Sequence, residues 1–147
     1  MRVLVVCLIL YFVKAGCAVA TERCDEETIR RYAATPVGQI AAPDIYFNTR
    51  EDAAPIMGAN EMSALRKQHG ADRKNQKPYS FSILQIAVSS DYTMAYDDGT
   101  AHVEYDETAT GRHVSFDISY LRVWKLVDGN CKVAASYSRP TLKLTTQ

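Results

Sequence analysis

The chain has 147 residues, of which 17 are basic and 17 acidic, so its formal net charge at pH 7 is zero. This length fits a single domain that buries roughly two-thirds of its unfolded surface. No basic stripe, low-complexity segment, charge block or repeat is present in the sequence. The composition therefore argues against a nucleic-acid-binding protein and against a disordered chain.

Residues 1–20 contain the three parts of a secretory signal peptide. Arg2 gives a cationic start, residues 3–13 form an apolar run, and Ala18-Val19-Ala20 supplies the small residues of a cleavage site. The run is shorter than the roughly 20 apolar residues of a membrane-spanning helix. We predict a secreted or periplasmic protein without a membrane span, cleaved after Ala20. A minor alternative is a lipoprotein anchored through Cys17, although Lys14 stands where such signals carry an aliphatic residue.

Removal of the leader leaves two cysteines, Cys24 and Cys131. Two cysteines in an oxidising compartment suggest one disulfide. Closing a loop of about 107 residues would stabilise the fold by up to ~4–5 kcal/mol in the chain-entropy model. The alternative is that both thiols are unpaired small hydrophobic groups. Three scattered histidines show no metal-ligand spacing, so no metal site is expected.

The first half of the mature chain, residues 21–78, predicts helices. Acidic residues 25–27 favour a helix start, and a stripe of apolar residues continues the helix to Pro36. Residues 37–42 can form one further turn, and residues 44–48 read as a short strand. A second helix is predicted over residues 61–68, with Asn60 as its cap and Gly70 as its end.

The chain after Pro78 predicts antiparallel strands. Residues 79–88 and 92–105 have strand composition, with a bulge or tight turn expected at residues 97–99. From Val114 to Leu126, apolar or aromatic residues and one arginine occupy every second position, which is the period of a strand. Asp128-Gly129 is a strong hairpin signal, and residues 131–137 return antiparallel. Helices followed by long strands indicate an α+β fold with helices packed on one sheet face.

Three segments resemble the SnoaL-like, ketosteroid-isomerase-like families of the nuclear-transport-factor-two-like superfamily. Residues 120–135 (YLRVWKLVDGNCKVAA) resemble their closing hairpin, residues 43–47 (PDIYF) their first strand, and Gly58 with residues 61–65 (EMSAL) their glycine-led second helix. The likeness covers about residues 24–139 of a single domain, residues 21–147. It implies a cone-shaped, curved antiparallel sheet of about four to six strands, packed against two to three N-terminal helices.

The chain departs from the family pattern at the position after the hairpin turn. Cys131 stands where that pattern usually has tryptophan. In the family fold the opening helices pack near this hairpin, so the resemblance also implies that Cys131 can pair with Cys24.

The same resemblance implies an interior lined by alternate strand residues, which would accept a small apolar ligand. The alternative is that the aromatic side chains simply fill the core. For Arg122, one interpretation is a ligand carboxylate held between aromatic rings. The other is an internal salt bridge with Glu104 or Asp97. The candidates for the pocket, besides Met94 and Phe116, are Tyr46, Tyr92, Tyr96, Tyr120, Arg122, Trp124 and Tyr137.

Enzymes of these families transfer protons with a carboxylate or histidine in an apolar pocket. Asp97 beside Gly99 can equally form a turn, and Asp44 can equally cap a strand. Neither aligns with a family catalytic pair. His113 and Asp117 are expected on the face opposite Trp124. The acid–base candidates are Asp44, Asp97, Glu104 and His102.

These residues support three hypotheses about function. The first is an exported small-molecule-binding or non-catalytic cone domain with an aromatic-lined pocket, dimeric through its sheet face. The second is a cofactor-independent lyase or isomerase that acts by acid–base chemistry. The third is a protein-interaction module that uses its sheet face, for which we expect a filled cone and an exposed apolar patch. The sequence leaves the choice open, and no hypothesis requires a cofactor.

Overall fold

The computed structural model describes residues 21–49 and 54–141. The predicted signal peptide and Cys17 lie outside these residues. Three helices are present in this part of the chain: α1 (Glu26–Tyr32), α2 (Val37–Ile40) and α3 (Gly58–Asp72). The strands of the same part are β1 (Ala41–Asn48), β2 (Ile56–Met57), β3 (Arg73–Lys74), β4 (Ser80–Val88), β5 (Met94–Glu107), β6 (His113–Val127) and β7 (Asn130–Pro140).

All of these strands belong to one strongly curled sheet. The strand order is β2-β1-β7-β6-β5-β3, and β4 pairs with β5 beside β3. The pairs are antiparallel except that β1 runs parallel to β7. The α+β fold class predicted from the sequence is therefore confirmed, with one parallel pair that the sequence did not indicate.

Helix α1 forms where the sequence predicted it. The Asp25 carboxylate accepts a hydrogen bond from the Thr28 backbone N–H at 2.9 Å, which caps the helix. Glu26 and Glu27 occupy its first turn, next to the positive end of the helix dipole. Its Ile29 side chain is fully buried in the core.

Helix α3 is longer than predicted at both ends. It begins at Gly58 rather than after Asn60, and it passes through Gly70 to Asp72. The cap is also different, because the Glu61 carboxylate accepts from the Met57 N–H at 2.9 Å. Residues 58–72 expose most of their side chains to solvent, and only Met62 is buried.

Of the bulge or tight turn predicted at residues 97–99, the turn is wrong, since β5 runs through them without a break, whereas a bulge is present opposite Asp98 and Gly99. The irregularity lies in the neighbouring strand, where the β4–β5 register shifts between Ile83 and Gln85. Gly99 does not form a turn. It allows β4 to pack closely against β5, because a Cβ atom at this position would overlap the Ser82 carbonyl oxygen. The same Cβ would lie 3.0 Å from the Tyr120 hydroxyl.

The alternation in β6 defines two faces of the sheet. Tyr120, Arg122 and Trp124 point to the inner face, which the helices cover, and are buried. Leu121 points to the outer face and is 38% exposed. The Asp128-Gly129 turn has φ values of 49° and 75°, as a tight hairpin with two positive φ angles requires.

The predicted disulfide is confirmed. Cys24, just before α1, is bonded to Cys131 in β7, with a Cα–Cα distance of 5.2 Å. Both half-cystines are buried in the main hydrophobic cluster with Trp124 and Val133. The bridge therefore ties the start of the first helix to the closing hairpin.

In the described ranges no helix is long and apolar enough to cross a membrane.

Candidate functional site

The inner face of the sheet contains a buried ion pair. Arg122 and Asp97 lie directly opposite each other in β6 and β5. Their side chains are 1% and 0% exposed. Arg122 Nε donates to Asp97 Oδ1 at 3.0 Å, and Nη2 donates to Oδ2 at 2.5 Å. This two-point contact matches the planar guanidinium to the planar carboxylate.

Other donors and rings complete the surroundings of this pair. Trp124 Nε1 donates to Asp97 Oδ1 at 2.6 Å, and Arg122 Nη1 donates to the Ala33 carbonyl at 3.2 Å. The guanidinium carbon lies 4.8–5.1 Å from the ring centroids of Phe81, Tyr120 and Trp124. Of the alternatives for Arg122, the structure has the internal salt bridge, with Asp97 and not Glu104. The pair's charges therefore compensate each other.

The Tyr120 hydroxyl lies beside this pair, close enough to Asp97 for the carboxylate to act on it, but it has no partner of standard hydrogen-bond geometry among the described residues. Burial raises the pKa of this phenol to about 12, and the Asp97 negative charge adds to the shift. Tyr120 is consequently a neutral hydrogen-bond donor at physiological pH. A buried polar group without a hydrogen-bond partner is costly to the fold. The Tyr120 hydroxyl would therefore gain from a bound partner.

The remaining aromatic candidates lie away from the buried Arg122–Asp97 pair. Because Asp97 points inward, its neighbour Tyr96 points outward, and it is 37% exposed. Tyr137 is also on the outer face, where its ring centroid lies 5.3 Å from that of Tyr46. Tyr92 lies in the turn before β5, with the Arg23 guanidinium carbon 3.5 Å from its ring centroid. The prediction that these tyrosines line one interior with Trp124 is thus corrected.

Two further candidates shared the predicted interior. Met94 lies on the outer face and is 51% exposed. Phe116 is on the inner face, opposite Val103, and is half-buried.

Three of the four acid–base candidates bind partners away from the buried Arg122–Asp97 pair. Asp44 accepts two hydrogen bonds from Lys125 Nζ, at 2.8 and 2.7 Å, which lower the pKa of its carboxyl. Glu104 Oε1 lies 2.7 Å from Lys77 Nζ, and this contact lowers the Glu104 pKa. His102 lies on the outer face. Only Asp97 faces the interior, and its two oxygens already accept from Arg122 and Trp124.

His102 belongs to a three-residue polar network that the sequence analysis did not assemble. Its Nδ1 lies 2.7 Å from Asp117 Oδ1, and its Nε2 lies 3.2 Å from Ser115 Oγ. This is the bonding order of a hydrolase triad. However, the His102 and Asp117 side chains are 45% and 42% exposed on an open sheet face. Because both side chains are this exposed to water, we interpret the network as a cross-strand polar row.

Two open grooves are the best-formed cavities of the described chain. The first, of about 300 Å³, is apolar and is lined mainly by Ala87, Val88, Met94 and Tyr96. The second, of about 390 Å³, is polar and lies beside the N-terminal segment at Glu22 and Arg31. Neither is lined by Tyr120, Arg122 or Trp124. Tyr120, Arg122 and Trp124 are themselves buried, with 0–6% of their surface exposed.

The parts of the chain that the structure describes bring together no group of three or more His, Cys, Asp or Glu side chains that could hold a metal ion.

No family model and no curated protein matches the sequence. The fold, in contrast, matches solved structures. A ketosteroid isomerase-like protein from Erwinia carotovora atroseptica has a TM-score of 0.62 and 12% identity, over 80% of this chain and 88% of its own. A domain of unknown function with a cystatin-like fold from Nostoc punctiforme has a TM-score of 0.64 and 15% identity, over 84% of this chain and 82% of its own.

A third neighbour carries the name of the superfamily. It is a nuclear-transport-factor-two-like protein with a cystatin-like fold from Novosphingobium aromaticivorans, with a TM-score of 0.56 and 13% identity, over 82% of this chain and 80% of its own. This chain has the same cystatin-like fold. The resemblance read from the closing hairpin, the first strand and the second helix is thereby confirmed at the level of fold.

Within the cystatin-like fold, sequence reasoning found some members of the inner network and misjudged one. The period-2 pattern of β6 correctly grouped Tyr120, Arg122 and Trp124. Asp97 was considered as an acid–base group, as the salt-bridge partner of Arg122 and as a turn residue, and the turn role was wrong; it was considered because Asp-Gly spacing at residues 97–99 looks like a turn. A signal was nevertheless present: Asp97 shares its alternation with the inward-facing residues of β5, Ala95 and Ala101.

Proposed function

We propose that this protein is an exported, non-catalytic binding domain that associates through the outer face of its sheet. A single observation carries the proposal: Tyr120, Arg122 and Trp124 on the inner face are buried, whereas the outer face exposes large apolar side chains. Met94, Tyr96, Leu121 and Tyr137 are 37–51% exposed there. An exposed apolar patch on a soluble domain commonly marks a contact surface.

The exposed side chains form continuous rows across neighbouring strands. Tyr96 in β5 lies opposite Val123 in β6, and Val123 lies opposite Ala135 in β7. In the next row Leu121 lies opposite Tyr137. The apolar groove of about 300 Å³ borders this patch at Tyr96. A sheet-on-sheet contact would cover the patch and the groove together.

We propose a second copy of the chain as the partner, which makes the protein a homodimer. Sedimentation velocity on the mature protein, residues 21–147, tests this directly. We expect a dimer for the native sequence and a monomer for Leu121→Lys. Leu84→Lys is the comparison variant, because Leu84 is 72% exposed in β4 and is not one of the four patch residues. A native protein that stays monomeric at every soluble concentration contradicts the proposal.

The geometry argues against proton-transfer chemistry. A general base needs a free lone pair within reach of a substrate. The only acid–base candidate that faces inward, Asp97, accepts hydrogen bonds from Arg122 and Trp124 on its two oxygens. Asp44, Glu104 and His102 have partners elsewhere.

A small-molecule ligand is a second candidate function, and the unpaired Tyr120 hydroxyl favours it. A neutral donor beside a charge-compensated pair suits an uncharged ligand that carries an acceptor oxygen on an apolar body. Binding of small neutral ketones and esters, followed by NMR, tests this. We expect Tyr120→Phe to abolish binding and Tyr96→Phe, on the outer face, to preserve it. Equal binding by both variants, or none by the native protein, argues against the ligand.

The ionisation of Tyr120 provides an independent test of its burial. Its pKa of about 12 in the fold exceeds the roughly 10 of a free tyrosine. The fold therefore disfavours the phenolate, and this contribution to stability is present below about pH 10 and is lost as the pH rises towards about 12. Ultraviolet titration should show one late-ionising tyrosine that disappears in Tyr120→Phe. An unchanged titration curve in that variant contradicts the assignment.

We also propose that the protein is exported and that its mature form is a single domain of residues 21–147. The confirmed Cys24–Cys131 bridge supports an oxidising compartment. We expect the mass of the protein recovered from the producing cell to correspond to a chain that starts at Thr21. A mass that includes residues 1–20, or a lipid on Cys17, overturns this assignment.

A further inference from the structure

Arg73, the first residue of β3, is a half-buried arginine without an acidic partner. It lies opposite Glu107 in the β3–β5 ladder. The Glu107 carboxylate is occupied elsewhere, since Oε1 accepts from Arg112 Nη2 at 2.6 Å and Oε2 accepts from Thr110 Oγ1 at 2.7 Å. No carboxylate of the described residues forms a salt bridge with Arg73. In contrast to the buried Arg122, its positive charge is therefore not compensated by an ion pair.

An aromatic ring holds the Arg73 side chain in place. The guanidinium carbon lies 4.4 Å from the ring centroid of Tyr105, which is a cation–π contact. The other contacts of the guanidinium are long, since Nη1 lies 3.4 Å from the Tyr79 hydroxyl and Nη2 lies 3.4 Å from His69 Nε2. Hydrogen bonds of this length are weak. The guanidinium therefore keeps its capacity to donate two bonds to a planar carboxylate.

The two neighbours of the guanidinium also present hydrogen-bond donors. An arginine N–H can only donate, so the Tyr79 oxygen and His69 Nε2 are the acceptors in these contacts. Burial and the charge of Arg73 lower the pKa of His69. The imidazole is therefore mainly neutral at pH 7 and carries its proton on Nδ1, which leaves this N–H and the Tyr79 hydroxyl hydrogen available. Three donors around one site are the composition of an anion-binding cluster.

The cluster borders an apolar part of the inner face. Tyr105 lies opposite Val114 in the β5–β6 ladder. Two positions further along, Phe116 lies opposite Val103, which is 3% exposed. Val114 and Phe116 are only half-buried. An apolar molecule that packs on these two side chains would have its end group at Arg73.

We propose that this cluster binds the carboxylate of a small molecule with an apolar body, such as a fatty or aromatic acid. The carboxylate accepts hydrogen bonds from Arg73, Tyr79 and His69 Nδ1, while the apolar body covers Val114 and Phe116. The site rests neither on the outer-face dimer nor on the Tyr120 hydroxyl, for which the matching ligand is uncharged.

A set of matched ligands tests the charge and the apolar body on the native protein. Octanoate carries both, octanamide replaces the carboxylate by a neutral group, and acetate lacks the long chain. In NMR titrations of the mature protein, octanoate should give saturable shifts of the His69 and Tyr79 ring signals. It should bind about tenfold or more tightly than octanamide, because a charge-assisted contact is lost in the amide. An affinity no higher than that of octanamide or acetate overturns the proposal, as does the absence of saturable shifts.

The two cations of β3 provide matched variants. Arg73→Gln should weaken octanoate binding by about tenfold or more, since the carboxylate loses a two-point contact with a charged donor. Lys74→Gln removes the same charge from the next residue, which is exposed and lies opposite Asp106. Adjacent strand residues face opposite sides, so this variant should keep the affinity within about twofold. Equal losses for the two variants indicate non-specific attraction and overturn the site.

Three tyrosine variants locate the ligand. Tyr79→Phe should weaken octanoate binding, because it removes a donor, whereas Tyr105→Phe should preserve it, because the ring under the guanidinium remains. Tyr120→Phe should also preserve it. A loss of octanoate binding in Tyr120→Phe, with binding intact in Tyr79→Phe, places the ligand at Tyr120 and overturns the assignment to Arg73.

Discussion

Two of the charged pairs that join β5 and β6 lie on opposite faces of the sheet. Arg122–Asp97 and His102–Asp117 both link directly opposite residues of β6 and β5. The inner pair is 1% and 0% exposed, whereas the outer pair is 45% and 42% exposed. The two pairs also differ in their cation and in their ladder position, since hydrogen-bonded and non-hydrogen-bonded pairs alternate along an antiparallel ladder. Burial makes the inner pair costly to break, although it does not make it a strong net stabiliser.

The largest effect is expected when only one partner of the inner pair changes. Asp97→Asn keeps the side-chain shape but leaves the Arg122 guanidinium buried without a countercharge. We expect a loss of about 3–5 kcal/mol in the free energy of unfolding, measured by urea denaturation. Asp117→Asn, the same change on the outer face, should cost less than about 1 kcal/mol. Similar losses for the two variants would show that burial does not set the difference.

A double replacement sharpens this result. Asp97→Leu with Arg122→Met removes both charges together and should recover most of the stability that Asp97→Asn loses, because well-packed apolar side chains often replace a buried pair without net cost. A double variant no more stable than Asp97→Asn indicates instead that the hydrogen bonds to Ala33 and Trp124 dominate.

Removal of the disulfide should cause the next largest loss in the free energy of unfolding. The disulfide holds the start of α1, whereas Arg122 holds the Ala33 carbonyl just beyond the end of that helix. Cys24→Ala with Cys131→Ala should cost about 2–4 kcal/mol. Differential scanning calorimetry with and without a reductant checks the assignment, since the reductant should have no effect on the double variant. An equally stable double variant would show that the ion pair alone anchors the helix.

Removing the Trp124 donor should have a smaller effect. Trp124→Phe keeps an aromatic ring in the core but deletes the N–H that binds Asp97 at 2.6 Å. We expect a loss of about 1–3 kcal/mol by urea denaturation, since a charged acceptor loses one partner. In the Asp97→Leu/Arg122→Met background the same change should cost less. An equal cost in both backgrounds would assign the effect to ring packing.

The smallest effect is expected for the coupling across the outer pair. A double-mutant cycle with His102→Ala and Asp117→Asn should give a coupling energy of about 0.2–1 kcal/mol. Because this pair is solvent-exposed, added salt should reduce the coupling further. A coupling as large as that of the inner pair would indicate that the outer face is covered in solution, as the proposed dimer would do.

Sequence reasoning succeeded wherever a local pattern had one physical meaning. The alternation of β6, the Asp128-Gly129 turn and the acidic start of α1 each gave the observed element. It failed at residues 97–99, where two aspartates and a glycine favour a turn in isolation. In the fold, Gly99 instead permits the close approach of Ser82, and Asp97 is stabilised by an arginine that lies 25 residues away in sequence.

The sequence by itself determined the α+β order and the two faces of β6, because these follow from periodicity and turn chemistry. For Cys24 and Cys131 it suggested a disulfide and left two unpaired thiols as the alternative. Only the tertiary structure decided that Asp97 pairs with Arg122 and that Tyr96 and Tyr137 point away from Trp124. Those features depend on the register between strands and on a bulge in β4. Register results from packing over the whole sheet, which no local run of residues encodes.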